Sequence, residues 1–564
     1  MASEYYDLGS HHWPVTTSSP EAQVWFDRGM GWVWGFNPEA ATACFRRVVE
    51  LDPSCAMGHW GIAYVLGPTY NHRWDQFSPV ELKRAVAAAH AAVVEANRLA
   101  ADASPLERAV VKALKSRYPE PVPSDDLIGW SVAYSDAMRE VWRDYRDNMD
   151  IVGLFAESLM VIRPRELWDQ QANEPIEGAP TLEILDVLEE ALRTPEGREH
   201  PAVLHLYIHL LEVSPYIERT VPSADRLRTL APDAGHLLHM PTHIDAMVGD
   251  YVNLVNSNLA AVAADRKYTE REGGMNFYTL SRVHNLHFVV YGAMMLGQET
   301  LALEAAEELA AACSDELLRV EVPPMAYWLE GNLPMKLHAL IRFGRWNEII
   351  ETPLPSDPEL YQVTTAVTHY AQGIAYAALG RVEEAEESRR AFQAAAAKVG
   401  PERNVWGVPC QDLLAVSAEM LNGEIEYRKG NYDEAFAHLR QSVALDDDLP
   451  QKEPWGQTQP PRHALGALLL EQNRIEEAET VYREDLGYDD RVLRVNQRPN
   501  NVWSLHGYHE CLTRLGKTEI ASIIKRQLDF AASRADVPIE ASCCCRTEMY
   551  PVGDACCHHE KAAD

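Results

Sequence analysis

Three histidines, His236, His239 and His243, stand at i, i+3 and i+7 in the stretch Gly235-His-Leu-Leu-His-Met-Pro-Thr-His243. On a helix that spacing puts all three on one face. A second stretch carries His205, His209 and Glu212 at an HxxxHxxE spacing, and a third carries His284 and His287. Neutral imidazole is the commonest protein ligand for Zn, Cu and Fe, and an i, i+4 pair grips one ion from a single helix. His205 with His209 and His239 with His243 are two such pairs. The scheme read from the spacing has these four binding metal, His236, His284 and His287 completing or orienting the set, and Glu212 moving protons. Tyr207 and Asn285 serve as orienting hydrogen-bond groups, Tyr207 alongside Glu212 and His236 in the catalytic set. Pro241 removes a backbone donor inside the pattern and predicts a kink beside the site.

The elements that must position these residues are helices. From Trp25 the sequence WFDRGMGWVWGFNPEAATACFRRVVELDPS has small residues where two helices would cross, an aromatic on the second helix and a proline at its end. That is the tetratricopeptide repeat (TPR) pattern, whose period is about 34 residues. A unit of this kind cannot bury its apolar face alone and must stack on neighbours. Turn-plus-second-helix signatures recur at Leu379-Gly380, Lys429-Gly430, Asn473-Arg474 and Leu515-Gly516, with less regular turns at Gly249, Gly297 and Gly344. No strand alternation competes with the helical period. The fold class expected is all-α, a TPR-like α-α superhelix of stacked hairpins. It divides into an N-terminal array over residues 1–320 carrying the histidines, a C-terminal array over 321–536, and a Cys/His-rich mobile tail over 537–564.

Composition narrows the function classes. The chain has 564 residues, 46% hydrophobic and 24% charged, with a formal net charge of -33. Such an acidic balance argues against nucleic acid and against an anionic membrane surface. No apolar run is long enough for a signal peptide or a membrane span. The cysteines have no disulfide spacing, which predicts a reducing, cytoplasmic setting. The CCC and CC runs of the tail lack the CxxC spacing that closes two thiolates on one ion. Phosphate-loop, dinucleotide-binding, nucleophile-elbow and HExxH motifs are absent.

Several strings make the chain resemble the TPR superfamily, and within it a family of His-rich TPR-repeat proteins: DLGSHHWPVTTSSPEAQVWFDRG, DPSCAMGHWGIAYVLGPTYN, LHLYIHLLEVSP, GHLLHMPTHI, HNLHF and REDL. The resemblance implies the fold. It departs at Phe36-Asn37-Pro38, where relatives are expected to carry a histidine, so that position is not taken as a ligand. When the turns at Gly249 and Gly297 are aligned, His236 and His284 occupy one register and His239 and His287 another. His243 shares its register with His338 before Gly344. In TPR proteins those positions face the concave groove, which implies inward-pointing histidines around a shared space.

A single histidine on a helix is usually a packing residue, and His463 and His506 occupy the same register without companions. The cluster as a whole nevertheless favours a metal-dependent enzyme acting on a small molecule, a His-ligated Fe or Cu oxidoreductase. The alternatives are a non-catalytic scaffold that binds a peptide or protein in its groove, and a Zn-dependent hydrolase or lyase. The His-bearing helices offer few of the Lys, Arg and Asn clamps that a peptide-binding groove uses, apart from Arg282. His11, His12, His59 and His72 carry no assignment, and the sequence says nothing about oligomeric state.

Overall fold

A computed structural model describes residues 5–450, 458–489 and 491–547. Helices dominate them, paired into antiparallel hairpins that stack on their neighbours as a TPR-like superhelix. Pro20–Trp34 packs on Pro38–Leu51, Ala56–Val65 on Pro79–Leu99, and Tyr251–Glu272 on Thr279–Leu296. The C-terminal array is more regular: Gln362–Ala378 pairs with Val382–Ala396, Cys410–Arg428 with Tyr432–Asp447, Pro461–Glu471 with Ile475–Asp485, and Val502–Arg514 with Thr518–Ala532. The turn residues read from the sequence, Gly380, Gly430, Asn473 and Gly516, all take the left-handed backbone that ends a helix tightly.

The small-plus-aromatic rule has a visible cause. The Phe45 ring lies between Gly29 and Gly61, and a Cβ on either glycine would come within 2.6 or 2.4 Å of it. Tyr482 lies in the same way between Gly466 and Gly507 near the other end of the chain. Close helix crossing therefore requires glycine opposite a large ring.

Two features depart from the expected organisation. A core built from Val262, Leu286, Leu309, Leu329 and Ala339 straddles residue 320, so packing is continuous where the two arrays were to divide. Residues 537–547 are also not a free tail. They lie along the first helices of the C-terminal hairpins, where Arg342 donates to the Ser542 carbonyl, Arg428 to the Cys545 carbonyl, and Arg546 pairs with Glu510. Cys556, Cys557, His558 and His559 fall outside the described residues. The last hairpin returns to the His-bearing region, where Trp503 Nε1 donates to the Met294 carbonyl at 2.6 Å.

Two tiny antiparallel hairpins are the strands among the described residues, Trp168–Asp169 with Glu174–Pro175 and Asn404–Val405 with Val408–Pro409. The second turns through Trp406 and Gly407, both at positive φ, the requirement of a tight two-residue hairpin. No described helix is long and apolar enough to cross a membrane.

Candidate metal centre

Helix Pro201–Leu211 is buried along its whole length, so His205 and His209 are inside the protein rather than on a rim. Pro241 breaks the next stretch as expected, leaving Gly235–His239 and Pro241–Val248 joined at Met240. The first of these starts on a glycine because a Cβ there would lie 2.2 Å from an Asp265 carboxylate oxygen. Helix Thr279–Leu296 contributes His284.

These elements bring together six histidines in two adjacent groups. His205, His209 and His236 form one, and His239, His243 and His284 the other; within each group one ligand atom per residue lies within 4.8 Å of the others. His205 Nε2 and His236 Nε2 are 3.2 Å apart, and His239 Nε2 and His243 Nε2 are 2.9 Å apart. Two nitrogens held about 2.0–2.1 Å from one ion stand about 2.9–3.4 Å apart when the angle between them is about 90–110°. The ring spacing is compatible with ligation of one ion and equally with an N–H···N hydrogen bond.

The outward-facing nitrogens fix which lone pairs point inward. His205 Nδ1 meets the Trp34 carbonyl at 2.8 Å. That carbonyl is available because its helical partner four residues on would be the N–H of Pro38, which proline lacks. His239 Nδ1 meets Asn258 Oδ1 at 2.8 Å, and the Asn258 amide group is committed as donor to Thr242 Oγ1 and the Leu254 carbonyl. Asn258 must therefore accept, and His239 must carry its proton on Nδ1. Glu212 holds one histidine from each group, His209 Nδ1 at 3.0 Å and His243 Nδ1 at 2.9 Å. With its proton on Nδ1, His239 presents its Nε2 lone pair to His243 Nε2, as the acceptor of an N–H···N hydrogen bond or as one of a pair of ligands for a cation.

Electrostatics agree. Burial, aided by His209, holds the His205 pKa well below the ordinary imidazole value, and burial aided by His205 and His239 does the same to His236. His209 is lowered by burial as well. Burial alone would raise the Glu212 pKa, but His243 and His209 outweigh it and hold the carboxyl below its usual range. Burial thus disfavours the charged form of His205, His209 and His236, while the neighbouring histidines favour the charged form of Glu212.

Aromatic rings wall the centre. Phe36, at φ 49, stacks over His209 and His236, and its centroid is 4.5 Å from that of His205. A bulky residue in left-handed backbone is a costly conformation that the surroundings must enforce. The position set aside as a ligand therefore lies directly on the cluster as a wall. Tyr70 packs on His209, Phe288 on His239, His243 and His284, and Trp406 of the short hairpin on His284.

Three expected residues are placed elsewhere. Tyr207 lies two positions from both His205 and His209, on the far side of the helix, and donates to Glu189 at 3.1 Å. Asn285 donates to Asp265, not to a histidine. His287 belongs to neither group, and its Nδ1 accepts from Trp406 Nε1 at 3.2 Å. Arg282, the lone clamp-type residue, is paired with Glu308. His463 is held between Arg342 and Asp485 in the C-terminal array, a structural histidine. Asn258, the Trp34 carbonyl, Phe288 and Trp406 were not identified from sequence. For Trp406 the Asn-Val-Trp-Gly turn was the available signal.

Comparison with known proteins completes the description. A tetratricopeptide repeat family model matches residues 366–391 and 459–484, both in the C-terminal array. A search of curated proteins gives no match. Among solved structures, the chain is similar to a Rap protein complexed with competence and sporulation factor, at 13% identity over 76% of this chain and 99% of that one, TM-score 0.31. It is also similar to Naa15/Naa10 bound to HypK-THB, at 13% identity over 90% and 70% of the two chains, TM-score 0.21. A third is the TPR domain of P58(IPK), at 12% identity over 75% and 99%, TM-score 0.17. Superpositions this loose carry no functional argument. The matched repeats and the stacked hairpins together establish a resemblance to the TPR superfamily.

Proposed function

We propose that the six histidines hold two transition-metal ions side by side and that the protein is a metal-dependent oxidoreductase acting on a small molecule, built inside a TPR-like frame. The observation that carries this reading is the pair of inward Nε2 contacts, with the Nδ1 atoms turned outward to Trp34, Asn258 and Glu212. Three neutral imidazoles per ion leave coordination positions open. Glu212 already supports two histidines from outside, so no carboxylate enters the ligand set, which favours copper over iron. Zinc with an activated water, in a hydrolase or lyase, is the remaining metal reading. Buried free thiols at Cys44, Cys55, Cys313, Cys410 and Cys511 support a cytoplasmic setting. Elemental analysis of the chain loaded with Cu or Zn and then desalted tests the centre. A His239→Ala, His243→Ala double variant should hold one ion fewer than wild type, and equal metal content would refute the reading.

A scaffold function has its own support in the C-terminal array. The TPR match lies there, and Arg342 and Arg428 clamp backbone carbonyls of residues 537–547, as they would those of a partner peptide. A partner must then displace the chain's own segment. A chain ending at Ala535 should bind a labelled peptide of residues 536–547 in fluorescence anisotropy, more weakly when Arg342 is replaced by Ala. No binding would sink this second reading.

A further inference from the structure

Apart from the six-histidine cluster, a third group of ligand-type side chains is buried in the N-terminal array. His11 comes from the irregular segment before the first helix, Asp150 from the first turn of helix Met149–Met160, and His200 from the cap of helix Pro201–Leu211. Their ligand atoms lie within 4.8 Å of one another. His11 Nε2 is 2.8 Å from Asp150 Oδ1 and His200 Nε2 is 3.4 Å from the same oxygen, while the two imidazole centroids are 5.1 Å apart.

Two observations separate this group from an ordinary ion pair. Neither ring nitrogen of His200 makes a hydrogen bond among the described residues, nor does His11 Nδ1, although all three atoms are buried. A buried imidazole that makes no hydrogen bond at either nitrogen, with only a 3.4 Å ion-pair contact to Asp150, is incompletely compensated for its desolvation. A structural pair would need only His11 and Asp150. His200, 9% exposed, adds a third donor aimed at the same carboxylate.

The segment carrying His11 is also held in place along its length. Asp7 N donates to Asp233 at 2.6 Å, Trp13 N to Asp27 at 3.1 Å, and Thr16 N to Glu107 at 2.6 Å. His11 is thus delivered to Asp150 by contacts on both sides of it, the support a binding site needs.

We propose that His11, Asp150 and His200 form a separate mononuclear site for a divalent first-row transition ion. Two imidazoles and one carboxylate suit Zn(II), Co(II), Fe(II) or Cu(II) and leave positions open for water or a small ligand. Trp34 connects this site to the six-histidine centre: its carbonyl accepts from His205 and its ring packs edge-on against His200 at 6.1 Å. His200 and His205 are five residues apart, about 7.5 Å along a helix axis.

The test uses the full chain, stripped with chelator and titrated with Zn(II), then with Co(II) for its visible absorption. A His11→Gln, His200→Gln variant should bind one ion fewer than wild type, whatever the six-histidine centre holds. The His239→Ala, His243→Ala variant should keep this site, so failure here and failure of the larger centre read separately. His11→Gln alone changes a residue outside any helix and should leave the metal-free circular dichroism spectrum unchanged while weakening one Co(II) band. Equal stoichiometry and equal Co(II) spectra in wild type and both variants would overturn the proposal and leave His11–Asp150 as an ion pair only. Should the double variant fold poorly, His11→Gln decides the matter alone.

Discussion

Glu212→Gln is the sharpest perturbation of the six-histidine centre, because one carboxylate orients a histidine in each group. It accepts from His209 at 3.0 Å, its other oxygen lies at ion-pair distance from His243 Nδ1, 2.9 Å, and it is buried with them. Glutamine has nearly the same shape but only one acceptor oxygen, so it can serve one of the two rings. The other ring then faces an amide –NH2, and its Nδ1 must accept instead of donate. Its proton moves to Nε2, into the centre, where it removes a ligand lone pair. Loss of a single outer partner typically lowers metal affinity about 10–100-fold, which is about 1.4–2.8 kcal/mol. Loss of one ligand in three is more severe. The variant should therefore retain about one ion of the two after dialysis against a chelator of micromolar strength, and bind that one more weakly. Competition titration and elemental analysis read both quantities, and the melting temperature of the metal-free proteins controls for folding. Two ions held with wild-type affinity, in a variant as stable as wild type, would refute the assignment of Glu212 as shared support.

Two further perturbations test the frame around the centre. Glu157 is buried against Tyr64, and burial pushes its pKa from 4.5 up to about 8. The folded state holds this proton more tightly than the unfolded chain, so its contribution to stability is full below about pH 4.5 and is lost as pH rises through about 8. Glu157→Gln should match wild type at pH 5 and exceed its melting temperature at pH 9, and parallel pH profiles would contradict this. Arg546 forms a bidentate pair with Glu510, at 2.7 and 3.0 Å, that anchors residues 537–547. Because Arg514 remains on Glu510, Arg546→Ala should cost about 1–3 kcal/mol, less than an isolated buried pair. Limited proteolysis should then cut that segment faster, while resistance equal to wild type would show that the arginine is not the anchor.

The helical period, the turn residues and the pairing of small residues with rings were legible in the chain because each is a local or nearest-neighbour rule. Gly29 opposite Phe45 is set by steric fit within one hairpin. The spacing of His205 with His209 and of His239 with His243 fixes which side chains share a helix face, and it selected four of the six clustered histidines as ligands, with His284 and His236 named beside them from their register. What spacing could not decide was assembly. His236 joins His205, thirty-one residues away, and Trp406 covers His284 from the other array. Tyr207 has the right chemistry on the wrong side of its helix. The tautomers depend on Asn258, Glu212 and a backbone carbonyl freed by Pro38, contacts between elements far apart in the chain. The sequence by itself determined the helices and the supply of imidazoles. Only tertiary packing decided which lone pairs meet, because side-chain direction across a helix is local whereas the distance between two helices is not.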